Sequence, residues 1–389
     1  MAIILFDGEE RIDLLPLTYT RPISEIRVGI LTIREKWNQY FKEDIGFLTA
    51  DYLQDKYAYI DTSSNLFIRG NVCPNEELVS EIGLLNENEG LYLDDKLVAF
   101  KGSKENFLAE KMNSIEYKGS IFTIDYPWDI FNKNGEAIQA DYDLLTEGRT
   151  SQFLSDTNTV LGPENVFVEE GAKVECTIIN ATKGPVYIGK DAEIMEGSII
   201  RGPLALCEHA TLKLGAKIYG PTTVGPHSKV GGEVNNSVIF GYSNKGHDGF
   251  LGNSVIGEWC NIGADSNNSN LKNNYAEVRL WSYRAERYIP TGLQFCGLVM
   301  GDHSKCGINT MFNTGTVVGV NANIYGAGFP RNFVPSFAWG SAAGMKEYRT
   351  SKAYEVADVV MKRRGLELND QEKQILDAVF ELSAKHRRF

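Results

Sequence analysis

The sequence lacks a long apolar run, a paired cysteine motif and an excess of positive charge, and each absence excludes a class of protein. No stretch approaches the roughly 18 apolar residues of a membrane-spanning helix, and the start of the chain carries no cationic leader before Asp7. The six cysteines form no C-x-x-C pair, which argues against a disulfide framework and a zinc site. A net charge of −12 disfavours nucleic acid and anionic lipid as partners. We therefore expect a cytoplasmic protein that binds neither nucleic acid nor membrane.

An apolar residue recurs at every sixth position through the middle of the chain. This period fits neither a helix nor an ordinary strand, and it predicts a parallel solenoid in which each hexad is one short strand plus a turn, with three hexads to a coil. Residues 231–249 and roughly 264–299 leave the period, so we expect loops or excursions there. The unbroken series is Ile188, Ile194, Ile200, Leu206, Leu212, Ile218, Val224 and Val230.

The regions on either side of the repeat have different patterns. The N-terminal region alternates short buried runs, such as Ala2–Phe6, with helical patterns, which predicts an α/β domain with a mostly parallel sheet. From Met345 the pattern is helical, with one helix over Ser351–Arg364 and a second opened by Asn369. The expected organisation is an α/β domain over 1–155, a solenoid over 156–340 and a helical segment over 341–389.

The segment that follows the first break in the repeat carries a specific motif. It reads G-Y-S-N-K-G-H-D-G-F-L-G over residues 241–252 and N-I-G-A over residues 261–264. The repeat resembles the hexapeptide-repeat, left-handed β-helix acyltransferases, and this segment resembles the acetyltransferase half of the bifunctional GlmU-like family. On that resemblance His247 falls on the catalytic base, and Phe250 replaces a tyrosine of the family. The resemblance implies acetylation of glucosamine-1-phosphate by acetyl-CoA, in a homotrimer whose sites lie between neighbouring subunits.

Histidine suits this chemistry because a base that takes a proton from an amine near pH 7 must titrate near pH 7. We predict His247 as the base, with Asp248 and Lys245 beside it, and His303 as the alternative base. A phosphorylated amino sugar needs cations and polar groups around it, and the predicted substrate-binding residues are Arg201, Lys213, Asn261 and Lys272. The resemblance implies that acetyl-CoA lies along Ala264, Asn309, Thr310 and Asn313, although a polar ladder that stabilises stacked turns explains these residues equally well.

A second motif lies near the N-terminus. Pro-Leu-Thr-Tyr-Thr-Arg-Pro over residues 16–22 resembles sugar-1-phosphate nucleotidyltransferases, but of their glycine-rich phosphate loop only Gly8 is kept, and Glu9 and Glu10 follow it. Asn71 stands where the family places a magnesium-binding aspartate, so the resemblance implies a Mg²⁺ site there. The predicted nucleotide-binding residues are Gly8, Arg11, Arg21, Arg27 and Lys36.

The two motifs together imply a bifunctional enzyme that also transfers uridylyl from UTP to form UDP-N-acetylglucosamine. Two alternatives stay open at this point. One is a glucose-1-phosphate thymidylyltransferase-like enzyme, and the other is a sugar-nucleotide-binding regulator or scaffold whose N-terminal domain is chemically inactive.

Overall fold

The computed structural model describes residues 1–389, which divide into two compact units. The first unit comprises Met1–Leu14, Thr18–Ile26 and Leu31–Tyr126, and the second comprises Leu15–Leu17, Arg27–Ile30 and Pro127–Phe389. The domain boundaries expected from the sequence stay a prediction. Neither unit contains a helix with the length and apolar character that crossing a membrane requires.

The first unit is built on a mixed six-stranded sheet. Its strand Ala2–Phe6, second from one edge, is buried throughout and pairs in parallel with a neighbour on each side. The sheet then continues through antiparallel and parallel pairs. In spatial order the strands are Ile45–Leu48, Ala2–Phe6, Asn65–Arg69, Lys96–Gly102, Glu89–Leu93 and Asn113–Glu116. A separate antiparallel pair joins Val72–Cys73 to Phe122–Thr123.

Five short helices accompany this sheet, and their ends follow capping signals in the sequence. Thr32 and Glu35 form a reciprocal capping box that opens the second helix, and Asn75 accepts the Leu78 N–H at the start of the fourth. The helices are α1 (Glu10–Asp13), α2 (Ile33–Phe41), α3 (Asp51–Gln54), α4 (Glu76–Gly83) and α5 (Lys104–Leu108), with 3₁₀ turns at Leu17–Tyr19 and Ile23–Glu25.

The second unit is a parallel β-solenoid with three faces, which confirms the fold class predicted from the hexads. Face A contains Val166–Val168, Val186–Ile188, Leu204–Leu206, Thr222–Val224, Val238–Ile239, Val255–Ile256, Leu298–Met300, Thr316–Val318 and Phe333–Val334. Face B contains Lys173–Val174, Glu193–Ile194, Thr211–Leu212, Lys229–Val230, Asn244–Lys245, Asn261–Ile262, Lys305–Cys306, Asn323–Ile324, Ala338–Ser341 and Gly344–Glu347. Face C contains Thr159–Leu161, Ile178–Asn180, Ile199–Arg201, Lys217–Tyr219, Glu233–Asn235 and Phe250–Gly252, and the pair Asn267–Asn268 with Met311–Phe312 lies in the later coils.

The hexad residues form the solenoid core, because each in turn points inward from face A, B or C. All eight members of the unbroken series are at most 1% exposed. The expectation of a loop over residues 231–249 is wrong: this segment supplies one strand to each face, in a shortened coil where Val230 pairs with Lys245 after 15 residues instead of 18. The expected excursion over 264–299 holds in part, since the hairpin Arg279–Ser282 with Arg287–Pro290 leaves the coils.

Four helices belong to the second unit. They are α6 (Pro127–Asn132), α7 (Asn134–Thr146), α8 (Thr350–Lys362) and α9 (Asp370–Leu382), with 3₁₀ turns at Pro163–Asn165 and Ala384–His386. The helical pattern expected from Met345 begins later, because Gly344–Glu347 pairs antiparallel with Ala338–Ser341 and closes face B. Asn369 caps α9 as predicted by accepting the Glu372 N–H at 2.9 Å.

A short N-terminal segment is also part of the second unit. The Gly29 and Ile30 N–H groups donate to Asn134 and Asp141 of α7, and the Thr223 hydroxyl of face A donates to the Gly29 carbonyl at 2.8 Å. These buried polar groups satisfy one another, so Arg27–Ile30 is held by hydrogen bonds as well as by packing.

Candidate functional site

The corner between faces A and B carries a ladder of stacked rings. His209, His227, Tyr242, Trp259 and His303 lie at equivalent positions of successive coils, each with a φ between 54° and 61°. Neighbouring rings are nearly parallel, with centroids 4.2–4.8 Å apart along the first four and 6.3 Å between Trp259 and His303. We call this set the ring ladder. It borders face B on one side.

A cavity of about 770 Å³ lies on the outside of face B. The ring ladder bounds it through Tyr242 and Trp259, and the opposite corner bounds it through His247 and Ala264. Helix α8 covers it with Val356 and Val360, which point to the same side of the helix because they are four residues apart. The cavity therefore has an apolar wall from α8 and a polar floor from face B. We call it the face B cavity.

The structure brings several predicted acetyl-transfer residues to this cavity. Lys213, His247, Asn261 and Ala264 line it, and His247 is exposed to solvent. Asp248 follows His247 and is also exposed, but it is not part of the lining, and its backbone carbonyl accepts the Asp265 N–H. His303, the alternative base, is 9% exposed within the ring ladder. His247 is thus the more accessible of the two histidines.

Lys245 lies inside the solenoid rather than in the cavity. It occupies the inward position of its face B strand and is 2% exposed, and its ammonium donates to the carbonyls of Gly231 at 2.8 Å and His247 at 2.6 Å. Burial lowers the pKa of Lys245 to about 8, against the opposing influence of Asp248 and Asp265. In this position Lys245 can hold the backbone of the His247 turn, whereas its side chain has no access to a substrate in the cavity.

The remaining predicted substrate and cofactor residues are dispersed. Arg201 is exposed on face C, and Lys272 lies in the excursion, where its ammonium donates to the Glu277 carbonyl. Asn309 adopts a φ of 56° and donates its N–H to the Ala264 carbonyl. Thr310 is 3% exposed and donates its hydroxyl to the Gly307 carbonyl, while the Asn313 carbonyl accepts from Thr316. Asn309 and Thr310 thus make the contacts of a turn-stabilising ladder, and their binding of acetyl-CoA stays a prediction.

Sequence reasoning missed the cations that α8 and face B add to the cavity. Lys229 and Lys305 project from face B, and Arg363 and Arg364 follow the last turn of α8. For Lys229 and Lys305, the only sequence signal is an outward position one residue before an inward residue of face B. For Arg363 and Arg364 there is no such signal, because α8 carries no motif that indicates where it packs.

In the first unit, an ion pair between Glu10 and Arg69 lies beside Gly8, at the expected phosphate loop. Arg69 donates to both carboxylate oxygens of Glu10 at 2.8–2.9 Å, and a Cβ on Gly8 would lie 2.4 Å from that carboxylate. Burial raises the pKa of Glu10, but the hydrogen bonds and charge of Arg69, together with a backbone hydrogen bond and the charge of Lys96, leave the pKa lowered. The negative charge of Glu10 is therefore balanced within the protein.

The predicted nucleotide-binding cations are engaged or buried. Arg11 pairs with Asp7 at 3.2 Å and donates to the Thr18 carbonyl and the Tyr52 hydroxyl, both at 2.7 Å. Arg21 and Lys36 are each 4% exposed. Arg27 lies in the second unit, where it donates to the Ile30 carbonyl.

Asn71 offers an oxygen atom of the kind that Mg²⁺ prefers. Its Oδ1 is buried with no hydrogen-bond partner, and its Nδ2 donates to the Asp125 carboxylate at 3.0 Å. An unsatisfied amide oxygen beside a carboxylate fits Mg²⁺, which takes oxygen ligands and usually keeps several waters.

Comparisons with known proteins agree with both motifs. Residues 3–150 match the family model described as "Sugar nucleotidyl transferase". A bifunctional sugar-1-phosphate nucleotidylyltransferase/acetyltransferase of Sulfurisphaera tokodaii is 30% identical over 271 residues, which cover 67% of this chain and 61% of that protein. The bifunctional protein GlmU of Methanocaldococcus jannaschii is 30% identical over 215 residues (54% of this chain, 45% of that protein), and that of Alkaliphilus metalliredigens is 25% identical over 210 residues (45% and 46%).

The chain is thus a divergent relative of the GlmU-like bifunctional proteins, as the motifs indicated, and its named relatives are transferases. It spans about half to three fifths of the length of these relatives.

Proposed function

We propose that the chain is a bifunctional sugar-1-phosphate transferase, with acetyl transfer at the face B cavity and nucleotidyl transfer in the first unit. In the first proposed reaction, glucosamine-1-phosphate and acetyl-CoA give N-acetylglucosamine-1-phosphate and coenzyme A. In the second, this sugar phosphate and UTP give UDP-N-acetylglucosamine and pyrophosphate. The observation that carries the acetyl-transfer half is the position of His247, an exposed imidazole at the edge of a cavity with cationic and apolar walls.

Because His247 is exposed, its imidazole can reach the amine of a bound sugar and act as the base in the proposed acetyl transfer. The sugar amine attacks the thioester carbon, so that a C–N bond forms and the C–S bond breaks. His247 takes the proton that the amine loses and returns a proton to the departing thiolate, which leaves as coenzyme A. The Lys245 ammonium holds the His247 carbonyl and so fixes the turn from which the imidazole projects.

In the proposed binding mode, Lys213 and Asn261 contact the acceptor, because both line the cavity with His247. The acyl donor runs past Ala264 toward Asn309 and Asn313, as the family resemblance implies. Arg201 and Lys272 lie on face C and in the excursion. In the proposed homotrimer they approach a site only through a neighbouring subunit.

For nucleotidyl transfer, Asn71 and Asp125 are the residues that would hold Mg²⁺. The metal would neutralise the phosphates of the nucleotide, because Arg11 and Arg69 are already paired with Asp7 and Glu10. The residues of this unit would position the nucleotide beside Gly8.

The ion pair beside Gly8 favours a second candidate function for the first unit. Because Glu10 and Arg69 occupy the side of Gly8 that a phosphate would approach, the unit could bind a sugar nucleotide without turning it over. In that case the chain is an acetyltransferase with a regulatory N-terminal unit. A thymidylyltransferase-like activity shares the Mg²⁺ and phosphate chemistry and differs only in the base.

The deciding experiment measures coenzyme A release from acetyl-CoA with a panel of amino-sugar phosphates, including glucosamine-1-phosphate. Release that depends on the amino sugar supports acetyl transfer. No release with any member of the panel would refute it.

A further inference from the structure

The face B cavity concentrates positive charge in a chain whose net charge is −12. Five basic side chains line it, and none of them pairs with a carboxylate: Lys213, Lys229, Lys305, Arg363 and Arg364. No aspartate or glutamate is among the lining residues. Like charges held together without counter-charges repel one another, so this cluster costs free energy in the empty protein. An anionic ligand would remove that cost.

The two arginines of α8 contribute most clearly to this imbalance. Arg364 is partly buried and approaches the Asn244 Oδ1 at 3.5 Å. Burial lowers the pKa of Arg364, and the neighbouring charge of Arg363 lowers it further. The structure thus holds two guanidinium groups near each other at the wall of a cavity, where the charge of Arg364 is desolvated in part and Arg363 is exposed.

A purely structural role explains these arginines less well. Cations at a helix C-terminus are favoured by the helix dipole, but Lys362 already stands there and pairs with Asp358 at 2.7 Å on the solvent side. The chain turns immediately after Arg364, where Gly365 has a φ of 73°. This turn ends the helix with Arg363 and Arg364 beside the cavity, while Lys362 stays outside it.

We propose that Arg363 and Arg364, with Lys229 and Lys305 of face B, bind a phosphate group of a substrate, so that α8 completes this site within a single chain. The proposal rests on the proposed acetyl-transfer function and identifies its substrates as phosphorylated. Paired guanidinium groups suit phosphate because their N–H groups match its oxygens in two parallel hydrogen bonds. Two sources share this chemistry: the phosphate of the amino sugar and the phosphates of coenzyme A.

The test compares the double variant R363Q/R364Q with the wild type and with K362Q. Lys362 is a suitable control because it lies at the same helix end and does not line the cavity, and K362Q removes one positive charge where R363Q/R364Q removes two. Binding of coenzyme A, glucosamine-1-phosphate and inorganic pyrophosphate is measured separately by calorimetry. Thermal unfolding shows that each variant is folded.

We expect R363Q/R364Q to bind at least one of the two substrates roughly ten- to a hundredfold more weakly, the range for losing charge-assisted hydrogen bonds. K362Q should stay within about twofold of the wild type. A loss confined to glucosamine-1-phosphate identifies the sugar phosphate as the ligand, and a loss confined to coenzyme A identifies the acyl donor. In R363K/R364K, which keeps the charge without the guanidinium fork, binding should recover only in part.

Unchanged binding of both substrates in R363Q/R364Q would overturn the proposal, and so would an equal loss in K362Q. If the wild type binds neither substrate, the proposed function fails, and the pyrophosphate arm then decides the anion site independently. Pyrophosphate binding that R363Q/R364Q loses and K362Q keeps supports the site. Pyrophosphate binding that is absent, or equal in all variants, refutes it.

Discussion

Lys245 is a charged residue at an inward position of face B, where the two neighbouring coils carry the aliphatic side chains of Val230 and Ile262. Its ammonium is accommodated because two backbone carbonyls accept from it. Removing an ammonium from water is costly even when it is hydrogen-bonded, and the lowered pKa of Lys245 reflects that cost. The fold tolerates the cost at the coil that presents His247.

The pH dependence of stability should reveal the lowered pKa of Lys245. Between about pH 8 and 10.5 the folded state loses the Lys245 proton while the unfolded state keeps it, so the unfolded state binds more protons and stability rises with pH. We expect the melting temperature of the wild type to rise relative to that of Lys245→Met between pH 7.5 and pH 9.5. Lys217→Met, which removes an exposed lysine on face C, should give a curve parallel to the wild type. Parallel curves for Lys245→Met would show that Lys245 titrates normally.

The substitution His247→Ala should lower acetyl transfer by about 10²–10⁴-fold, the usual loss when a general base is removed. The affinity for acetyl-CoA should change little, because the imidazole acts on the acceptor amine. Coenzyme A release and donor binding are measured on the same preparation. His209→Asn, which alters the exposed end of the ring ladder, serves as the control. A loss below about tenfold would transfer the assignment to His303.

Among the structural elements, the ring ladder joins five coils through side-chain stacking. Each of its residues adopts the left-handed conformation, which costs a non-glycine residue roughly 1–2 kcal/mol. Stacked aromatic pairs contribute about 0.5–1.5 kcal/mol each beyond the area they bury. The ladder therefore offsets a backbone cost that each coil corner incurs.

Loss of a central ring should destabilise the solenoid more than loss of a terminal ring. Trp259→Asn should cost about 3 kcal/mol, since Trp259 is 7% exposed and its ring packs at 4.2 Å from Tyr242. His209→Asn should cost no more than about 1 kcal/mol, since this ring is exposed and has one stacking neighbour. Asn tolerates the left-handed conformation, so both changes remove the ring with little backbone strain. Urea denaturation measures the free energy of unfolding of both variants. Equal losses would contradict a stabilising role of the ring ladder.

The solenoid could be predicted from the sequence because one inward apolar residue in every six is a strong, regular signal. The period of six cannot give the register where a coil shortens to 15 residues: counted on from Val238 it reaches Asn244, although Lys245 is the residue that points inward. The pairing of Glu10 with Arg69 was not visible because these residues are 59 positions apart and no period relates them. The packing of α8 on face B could not be predicted either, since an apolar stripe on a helix does not indicate the surface against which the helix packs.

At the scale of the whole molecule, the two proposed activities differ in how many of the charged groups that they need are available in the protein. Nucleotide turnover in the first unit should depend absolutely on Mg²⁺, because a triphosphate carries roughly four negative charges and Arg11 is already paired with Asp7. Pyrophosphate release with UTP and with dTTP, each with and without EDTA, measures this. Arg21→Ala should abolish the release, with circular dichroism as the check on folding because Arg21 is buried. No turnover of either nucleotide with several sugar-1-phosphates would leave the binding-only function.

The assembly should be a homotrimer of roughly 130 kDa, three times the 43.3 kDa of one chain. Analytical ultracentrifugation gives the mass, and activity measured at the same concentrations shows which species works. A fully active monomer would contradict a site between subunits, and it would agree with a cavity that α8 closes within one chain.

The hydrogen bonds of residues 27–30 also constrain when this segment can fold during synthesis. Thr223 is synthesised 194 residues after its partner Gly29, which at 5–20 residues per second is a delay of roughly 10–40 s. During that time Arg27–Ile30 must stay free to join the second unit. A chain cut after residue 126 would separate Gly29 and Ile30 from Asn134, Asp141 and Thr223. The first fragment would contain the whole first unit, whereas the second fragment would lack Leu15–Leu17 and Arg27–Ile30 of its own unit.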